Sequence, residues 1–184
     1  MFFTSDTHFG HKRIIEYCDR PFKSTSDMDQ ALIENWNRVV GPDDVIYHLG
    51  DFCLGGIEMA TKYFRQLNGQ IYVLGNVWHH DRRWLTYLKS MNVYSKSNHR
   101  IRLRPSIAVY EFHEWPTNDN FYQILIMCHY PMAIWDRKHY GAWHVHGHSH
   151  GNYRGRGKIL DVGVDVQNYK PISHFELKDI MDAR

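Results

Sequence analysis

The sequence has little cysteine, and what it has is scattered. The three residues, Cys18, Cys53 and Cys128, are odd in number and none stands in a C-x-x-C pair. This argues against a disulfide framework and indicates a reducing compartment. No apolar run approaches the roughly 18 residues that span a membrane, and no basic segment leads into an apolar one at the N-terminus. We therefore expect a cytoplasmic protein that is neither exported nor membrane-spanning.

The sequence also lacks a strong charge of either sign, since its formal net charge is only +2. Global electrostatics therefore do not indicate a nucleic-acid-binding protein. Repeats, linkers and low-complexity segments are missing as well. At 184 residues the chain is expected to form a single domain, 1–184, that is large enough to bury its own core.

What the sequence does contain is a set of side chains that bind metals, each placed just after an apolar run. Such runs predict strands, and in α/β folds the loops at the carboxyl ends of strands form the ligand crevice. Residues distant in sequence can therefore meet there. The candidate metal ligands are Asp6, His8, Asp51, Asn76, His129, His148 and His150.

The residue types in this set favour particular metals and a particular chemistry. Imidazole with carboxylate and amide oxygens, and no thiolate, suits Mn, Fe, Zn or Ni. If Asp51, which stands alone on its loop, bridges two cations, seven side chains supply four ligands to each. Two cations roughly 3.5–4 Å apart can share a hydroxide and stabilise an in-line phosphoryl displacement. Hydrolysis of a phosphoester is the expected reaction.

The order of the motifs, D-x-H, G-D, G-N, H and G-H-x-H, resembles the calcineurin-like metallophosphoesterase superfamily. The opening segment, residues 5–11, looks like its small bacterial and phage-borne members, and the match extends from residue 4 to about residue 171. The resemblance implies a four-layer α-β-β-α sandwich of two mixed sheets flanked by helices. It also implies one metal held by Asp6, His8, Asp51 and His150, and a second held by Asp51, Asn76, His129 and His148.

The sequence departs from the family in the third motif, where the histidine that usually follows Gly-Asn is replaced by Val77. That histidine protonates the leaving oxygen or stabilises the transition state. One alignment treats it as lost. The other treats residues 77–79 as inserted and gives its role to His80, with His79 as a second candidate. We favour the second alignment, and Asn76 would then help to neutralise the charge that develops on the phosphoryl group.

Four further histidines, His11, His48, His144 and His146, are predicted either to orient the ligands, since ligating imidazoles need hydrogen-bond partners, or to have structural roles. For His11 an approach to the substrate is a second possibility. Helices are predicted at 26–40, with Ser26 and Asp29 as a capping box, at 57–67, at 81–91, and after a cap at Ser173 and Glu176. Alternation between 98 and 112 predicts a strand that turns at Pro105-Ser106 into a partner strand, and 158–166 reads as a later strand.

The preferred function is a dinuclear metal-dependent phosphodiesterase, because a chain without an inserted specificity domain leaves its site open to an extended leaving group. Nucleotides and nucleic acids are candidate substrates, and phosphomonoesters remain open. The alternative is a degenerate member of the superfamily that serves as a metal-binding scaffold with little turnover.

Overall fold

The protein has a mixed α/β fold, seen here in a computed structural model that describes residues 1–75, 80–88, 90–113 and 121–184. These residues form five α-helices and nine strands. The helices are α1 (Lys12–Tyr17), α2 (Thr25–Val39), α3 (Ile57–Phe64), α4 (Arg82–Leu88) and α5 (His174–Asp182). The strands are β1 (Phe2–Thr4), β2 (Val45–His48), β3 (Gln70–Leu74), β4 (Arg102–Arg104), β5 (Ile107–Phe112), β6 (Gln123–Cys128), β7 (Trp143–His146), β8 (Ile159–Asp161) and β9 (Ile172–Ser173).

The strands form two mixed sheets. The first has the order β4-β3-β2-β1-β9, in which only β9 runs antiparallel to its neighbour. The second has the order β5-β6-β7-β8, in which only the β5 pairing is antiparallel. Because β1, β2 and β3 are parallel, their carboxyl ends lie at one edge of the first sheet, and those of β6, β7 and β8 lie at one edge of the second.

The two sheets pack face to face across an apolar core. Phe3 of the first sheet and Leu125, Met127 and Val145 of the second belong to this core, where each is buried almost completely. The inner residues of β6 alternate with Ile124 and Ile126 on its other face, as the two-residue period of a strand requires. A backbone bridge between Ser5 and Gly163 also joins the two sheets directly beyond the ends of β1 and β8.

Helices cover the outer face of the first sheet. The apolar faces of α2, α3 and α4 pack there with Ile46, Ile71 and Val73 of the strands. On the outer face of the second sheet, Trp135 of the loop after β6 and Tyr153 of the loop after β7 pack in one cluster with Ile124 and Ile126. The sequence prediction of two mixed sheets with helices is therefore confirmed at the level of an α/β fold.

Helix α2 begins at Thr25, one residue earlier than predicted, and its cap lies two residues before the predicted one. Its N-cap is Ser24, whose hydroxyl accepts a hydrogen bond from the amide of Asp27, so the predicted capping box at Ser26 and Asp29 is wrong. The Asp29 carboxylate instead accepts hydrogen bonds from Gly10 N and Tyr63 Oη. The capping box predicted at Ser173 and Glu176 is confirmed at the start of α5.

The predicted hairpin at Pro105-Ser106 is also wrong. Strand β4 pairs in parallel with β3 of the first sheet, whereas β5 pairs with β6 of the second. The alternating pattern identified both strands but not their partners, because pairing is decided by long-range packing. The predicted strand at 158–166 ends at Asp161 and is followed by a short 3-10 helix, Val164–Val166. Helix α1 and strand β9 had no predicted counterpart.

No helix among the described residues combines the length and apolar character needed to cross a membrane.

Candidate metal centre

Six of the seven predicted ligands lie in the described residues, and the fold brings them into two neighbouring groups. Asp6, His8 and His150 form one group, and Asp51, His129 and His148 form the other. Within each group the candidate ligand atoms lie within 4.8 Å of one another. Every member follows the end of β1, β2, β6 or β7, so the two sheets contribute to both groups. The seventh predicted ligand, Asn76, lies outside the described residues.

The Asp51 carboxylate lies between the two groups. Its Oδ2 atom is 3.6 Å from His8 Nε2 in the first group and 3.6 Å from His129 Nε2 in the second. Asp51 is buried, as are His8 and His129. A carboxylate that bridges two cations must lie beside the other ligands of each cation. Asp51 has that position, between the two groups.

The ligand loops have an unusual backbone. Asp6, His8, Asp51, His148 and His150 all have positive φ angles, between 45° and 66°. The left-handed region is uncommon for residues other than glycine, and such conformations persist where the surrounding structure imposes them, often at functional sites. The backbone strain therefore coincides with the residues that the sequence selects as ligands.

The loops after β1 and β7 approach each other so closely that Gly147 is needed between them. A Cβ atom on Gly147 would lie 2.1 Å from Ser5 Oγ and 2.4 Å from Asp6 Oδ2. The next amide, His148 N, donates hydrogen bonds to Asp6 Oδ1 at 3.1 Å and Oδ2 at 2.9 Å. The main chain of one candidate ligand loop thus packs against, and donates to, the Asp6 carboxylate of the other.

We expect Gly147→Ala to abolish high-affinity metal binding, because the added methyl group displaces the Asp6 carboxylate. A matched control is Gly141→Ala, since Gly141 has a positive φ of 85° but no atom within 4 Å of its ideal Cβ position. That control should lose about 1 kcal/mol of stability through backbone strain and keep its metals. Isothermal titration calorimetry measures the metal affinity of the two glycine variants. Thermal unfolding of the metal-free forms measures their stability. Equal metal affinity in the two variants would contradict the prediction.

The buried ring of His8 is suited to a cation. Neither of its ring nitrogens has a hydrogen-bond partner among the described residues, although only 2% of the residue is exposed. A buried polar group without a partner costs about 1–3 kcal/mol, and such groups in native proteins usually have a functional reason. Burial also lowers the pKa of His8 well below its ordinary value, which favours the neutral imidazole that binds metals. The donors present therefore fit a metal site.

The charged members of the site perturb one another. Burial raises the pKa of Asp6 to about 6. Burial alone would lower the pKa of His129, but the neighbouring Asp51 carboxylate and the charge of Asp6 raise it above its ordinary value. Burial opposes the charged form of His150 too, yet its hydrogen bond with Asp165 raises the pKa of His150 to about 10. Groups with opposing shifts in one crevice are typical of functional sites.

Two of the four supporting histidines tie ligand loops or strands together. His48 Nε2 lies 3.0 Å from Thr7 Oγ1, and its Nδ1 accepts a hydrogen bond from Gly50 N, so it joins the D-x-H loop to the G-D loop. His144 lies between Ile126 O and Met132 N. Burial lowers the pKa of His48 to about 3 and that of His144 to about 4, so both rings are neutral.

The other two supporting histidines differ in position. His146 Nδ1 bonds to the adjacent Gly147 O. His11 instead lies beside the first ligand group, with its ring centroid 5.5 Å from that of His8.

His80 reaches the same place from another loop. Its ring centroid lies 5.3 Å from that of His8 and 5.3 Å from that of His11, and the residue is exposed. Candidate ligand atoms of these three imidazoles lie within 4.8 Å of one another. His79, the other predicted catalytic histidine, lies outside the described residues.

Asp81, the residue after His80, anchors its loop to the G-D loop. Its buried carboxylate accepts hydrogen bonds from the amides of Phe52 and Cys53 and from Trp84 Nε1. No hydrogen bond joins it to His80 within the described segments. Asp81 therefore holds the loop that carries His80 against the residues after Asp51. The spacing of the motif gave no signal of these backbone contacts.

The mixed α/β fold and the converging histidines and aspartates are shared with known proteins to different extents, and one relative establishes the family of the chain. The chain is 31% identical over 182 residues to the uncharacterized protein MJ1445 of Methanocaldococcus jannaschii, covering 94% of this chain and 86% of that protein. The chain belongs to the same family as that archaeal protein. No family model matches the sequence.

Shorter and more distant similarities accompany this one. The Gene 66 protein of Mycobacterium phage L5 is 40% identical over 80 residues, which is 44% of this chain and 32% of the phage protein. The Gene 66 protein of phage D29 is 35% identical over 86 residues, or 45% and 40% of the two chains. The crystal structure of AQ665, a protein of unknown function from Aquifex aeolicus, superposes with a TM-score of 0.69 over 98% of both chains. At 22% identity that likeness establishes a shared fold.

Proposed function

We propose that this protein is a dinuclear metal-dependent phosphoesterase of the calcineurin-like metallophosphoesterase superfamily, with the four-layer sandwich of that superfamily. The observation that carries the proposal is the position of Asp51 Oδ2, 3.6 Å from a histidine of each ligand group. Asp6, His8, Asp51 and His150 would hold one cation. Asp51, His129, His148 and Asn76 would hold the other.

The types of ligand atom determine which metals the site favours and what chemistry those metals would supply. Imidazole, carboxylate and one amide oxygen favour Mn, Fe, Zn or Ni over the softer metals that thiolates select. When bound, two such cations supply a water nucleophile at neutral pH and neutralise negative charge on phosphoryl oxygens. We place the protein in the cytoplasm because all three of its cysteines are free thiols.

The residues of the chain have separate tasks in this scheme. The two carboxylates, Asp6 and Asp51, hold the positive charge in place and set its spacing. His80 is exposed beside His8, so its imidazole is available to a substrate from the solvent side and donates a proton to the leaving oxygen. Asn76 neutralises charge on the phosphoryl group through its amide.

We favour phosphodiesters over monoesters as the substrate class. His148 and His80 are both exposed, so the site is open on the side of these two residues and accepts an extended leaving group. Nucleic acids contain diesters of this shape, whereas a simple mononucleotide would be a monoester substrate. The alternative, a metal-binding scaffold with little turnover, shares the ligand groups but has no use for an exposed imidazole beside them.

We expect the purified protein to bind about two equivalents of Mn²⁺ per chain and then to hydrolyse bis(p-nitrophenyl) phosphate. Protein loaded with excess metal and freed of loose ions by buffer exchange is analysed by elemental analysis, and turnover is measured with Mn, Fe, Zn and Ni in parallel. Stoichiometry near zero with all four metals would refute the metal centre. Two equivalents without turnover on diesters or monoesters would favour the scaffold.

A further inference from the structure

We propose that the buried ion pair Arg20–Asp165 is a positioning device for the metal centre. In this proposal Asp165 fixes the ring of His150, and Arg20 fixes both Asp165 and the turn that carries Asp6 and His8. The proposal rests on the function proposed above, since it names residues that prepare the ligands without being ligands.

Arg20 contacts the D-x-H turn and Asp165 at the same time. Its side chain is fully buried, and its guanidinium donates from Nε to Asp165 Oδ1 at 2.7 Å and from Nη2 to Asp165 Oδ2 at 2.8 Å. The same group donates to the carbonyl oxygens of Thr7 at 3.1 Å and Asp6 at 2.7 Å. These carbonyls belong to the turn in which Asp6 and His8 have positive φ. The planar, always charged guanidinium is suited to such a fixed set of acceptors.

Asp165 in turn contacts the other ligand loop. Its Oδ2 atom lies 2.6 Å from His150 Nδ1. Because a carboxylate only accepts hydrogen bonds here, Nδ1 carries the proton and Nε2 is the nitrogen left for a cation. The backbone beside Asp165 is fixed as well, since Val164 N donates to Ser5 O. The ring of His150 is therefore aimed by a carboxylate that is itself held on two sides.

Two simpler accounts of this cluster are weaker. A buried ion pair is poor evidence for stabilisation by itself, because desolvation of the charges offsets their attraction. A separate cation site at Cys18, His150 and Asp165, whose donor atoms also lie close together, would have to compete with the hydrogen bonds of both Asp165 oxygens. Orientation of a ligating imidazole accounts for the contacts to both loops.

The test compares Asp165→Asn with a matched control. Asp165→Asn should weaken binding of one Mn²⁺ about 10–100-fold, the usual effect of removing a partner that orients a ligand. Titration calorimetry and the electron paramagnetic resonance of free and bound Mn²⁺ measure this without any substrate. At a low free Mn²⁺ concentration that still fills both sites of the wild type, the variant should hold about one equivalent of metal where the wild type holds about two. The control is Asp29→Asn, which removes a carboxylate that accepts from Gly10 N near the same turn but contacts no ligand ring, and it should leave both affinities unchanged.

A double variant, Arg20→Gln with Asp165→Asn, removes both charges and avoids a buried arginine without its counter-ion. If the pair only stabilises the fold, the double variant should recover wild-type metal affinity when its thermal stability recovers, and that result would overturn the proposal. Continued weak binding in a stable double variant supports it. Two Mn²⁺ ions bound with wild-type affinity by Asp165→Asn would also overturn it. A wild-type protein that binds no metal would refute the proposed metal centre itself.

Discussion

Replacing Asp51 with asparagine should remove both metal ions and almost all hydrolysis. Its carboxylate faces His8 of one ligand group and His129 of the other at 3.6 Å each, so a single change weakens two sites. Charge stabilisation by bound metals is worth several kcal/mol, and each step of about 1.4 kcal/mol is tenfold in rate. We therefore expect turnover of a diester to fall roughly 10³-fold or more. Elemental analysis and steady-state kinetics at saturating metal give the two readouts.

Asp6→Asn is the matched comparison for this prediction. Asp6 belongs to only one ligand group, so its variant should lose one metal more readily than the other. Because the changed residues lie in loops after the strands, both variants should keep the wild-type far-ultraviolet circular dichroism spectrum. If metal-loaded Asp51→Asn retained near-wild-type turnover, or lost no more metal than Asp6→Asn, Asp51 would not be the bridge.

If the protein is the proposed phosphoesterase, replacing His80 with alanine should change the range of esters that it hydrolyses. A proton donor is typically worth about 10²–10⁴-fold in rate, but nitrophenolate leaves without much protonation. We expect His80→Ala to slow diesters with alkoxide leaving groups by that factor and to leave nitrophenyl diesters within a few-fold of the wild type. The expected signature is a steeper dependence of log kcat on leaving-group pKa.

Two comparisons make the His80 result interpretable. His99→Ala changes a half-buried histidine that lies near Asp43, at the opposite end of β2 from Asp51, and should be silent with every substrate. His79→Ala tests the other candidate donor. A different result would show that the histidine of the family motif has been lost at Val77. In that case neither His80→Ala nor His79→Ala changes the hydrolysis rate, and the rate of the wild type already depends steeply on the leaving-group pKa.

The parts of the site that sequence predicts are those governed by local rules. Asp6, Asp51 and His129 follow apolar runs that do form strands, and parallel pairing brings the ends of such strands together. The predictions that proved wrong relied on a local pattern that fits more than one structure. Asp29 matched a capping box by spacing, but its carboxylate accepts from Gly10 and Tyr63 on other elements.

Long-range partners had no signal in the sequence. Arg20 and Asp165 are separated by 145 positions, and nothing in the periodicity around either residue indicates the other. The same holds for β4 and β5, whose alternation is clear but whose partners lie in different sheets. The contacts of Arg20 are selected by burial of its charge, because a guanidinium removed from water needs acceptors wherever the fold supplies them.

The division of ligands between the two sheets has a consequence for the integrity of the molecule. All three cysteines are free, so no covalent link joins distant parts of this chain. Each proposed ion would connect loops that follow strands of opposite sheets, in a protein where Asp6 already meets the amide of His148 across 142 positions. Bound cations would then act as cross-links that restrict the unfolded chain and resist sliding of one sheet over the other. Catalytic capacity and mechanical cohesion would thus depend on the same few side chains.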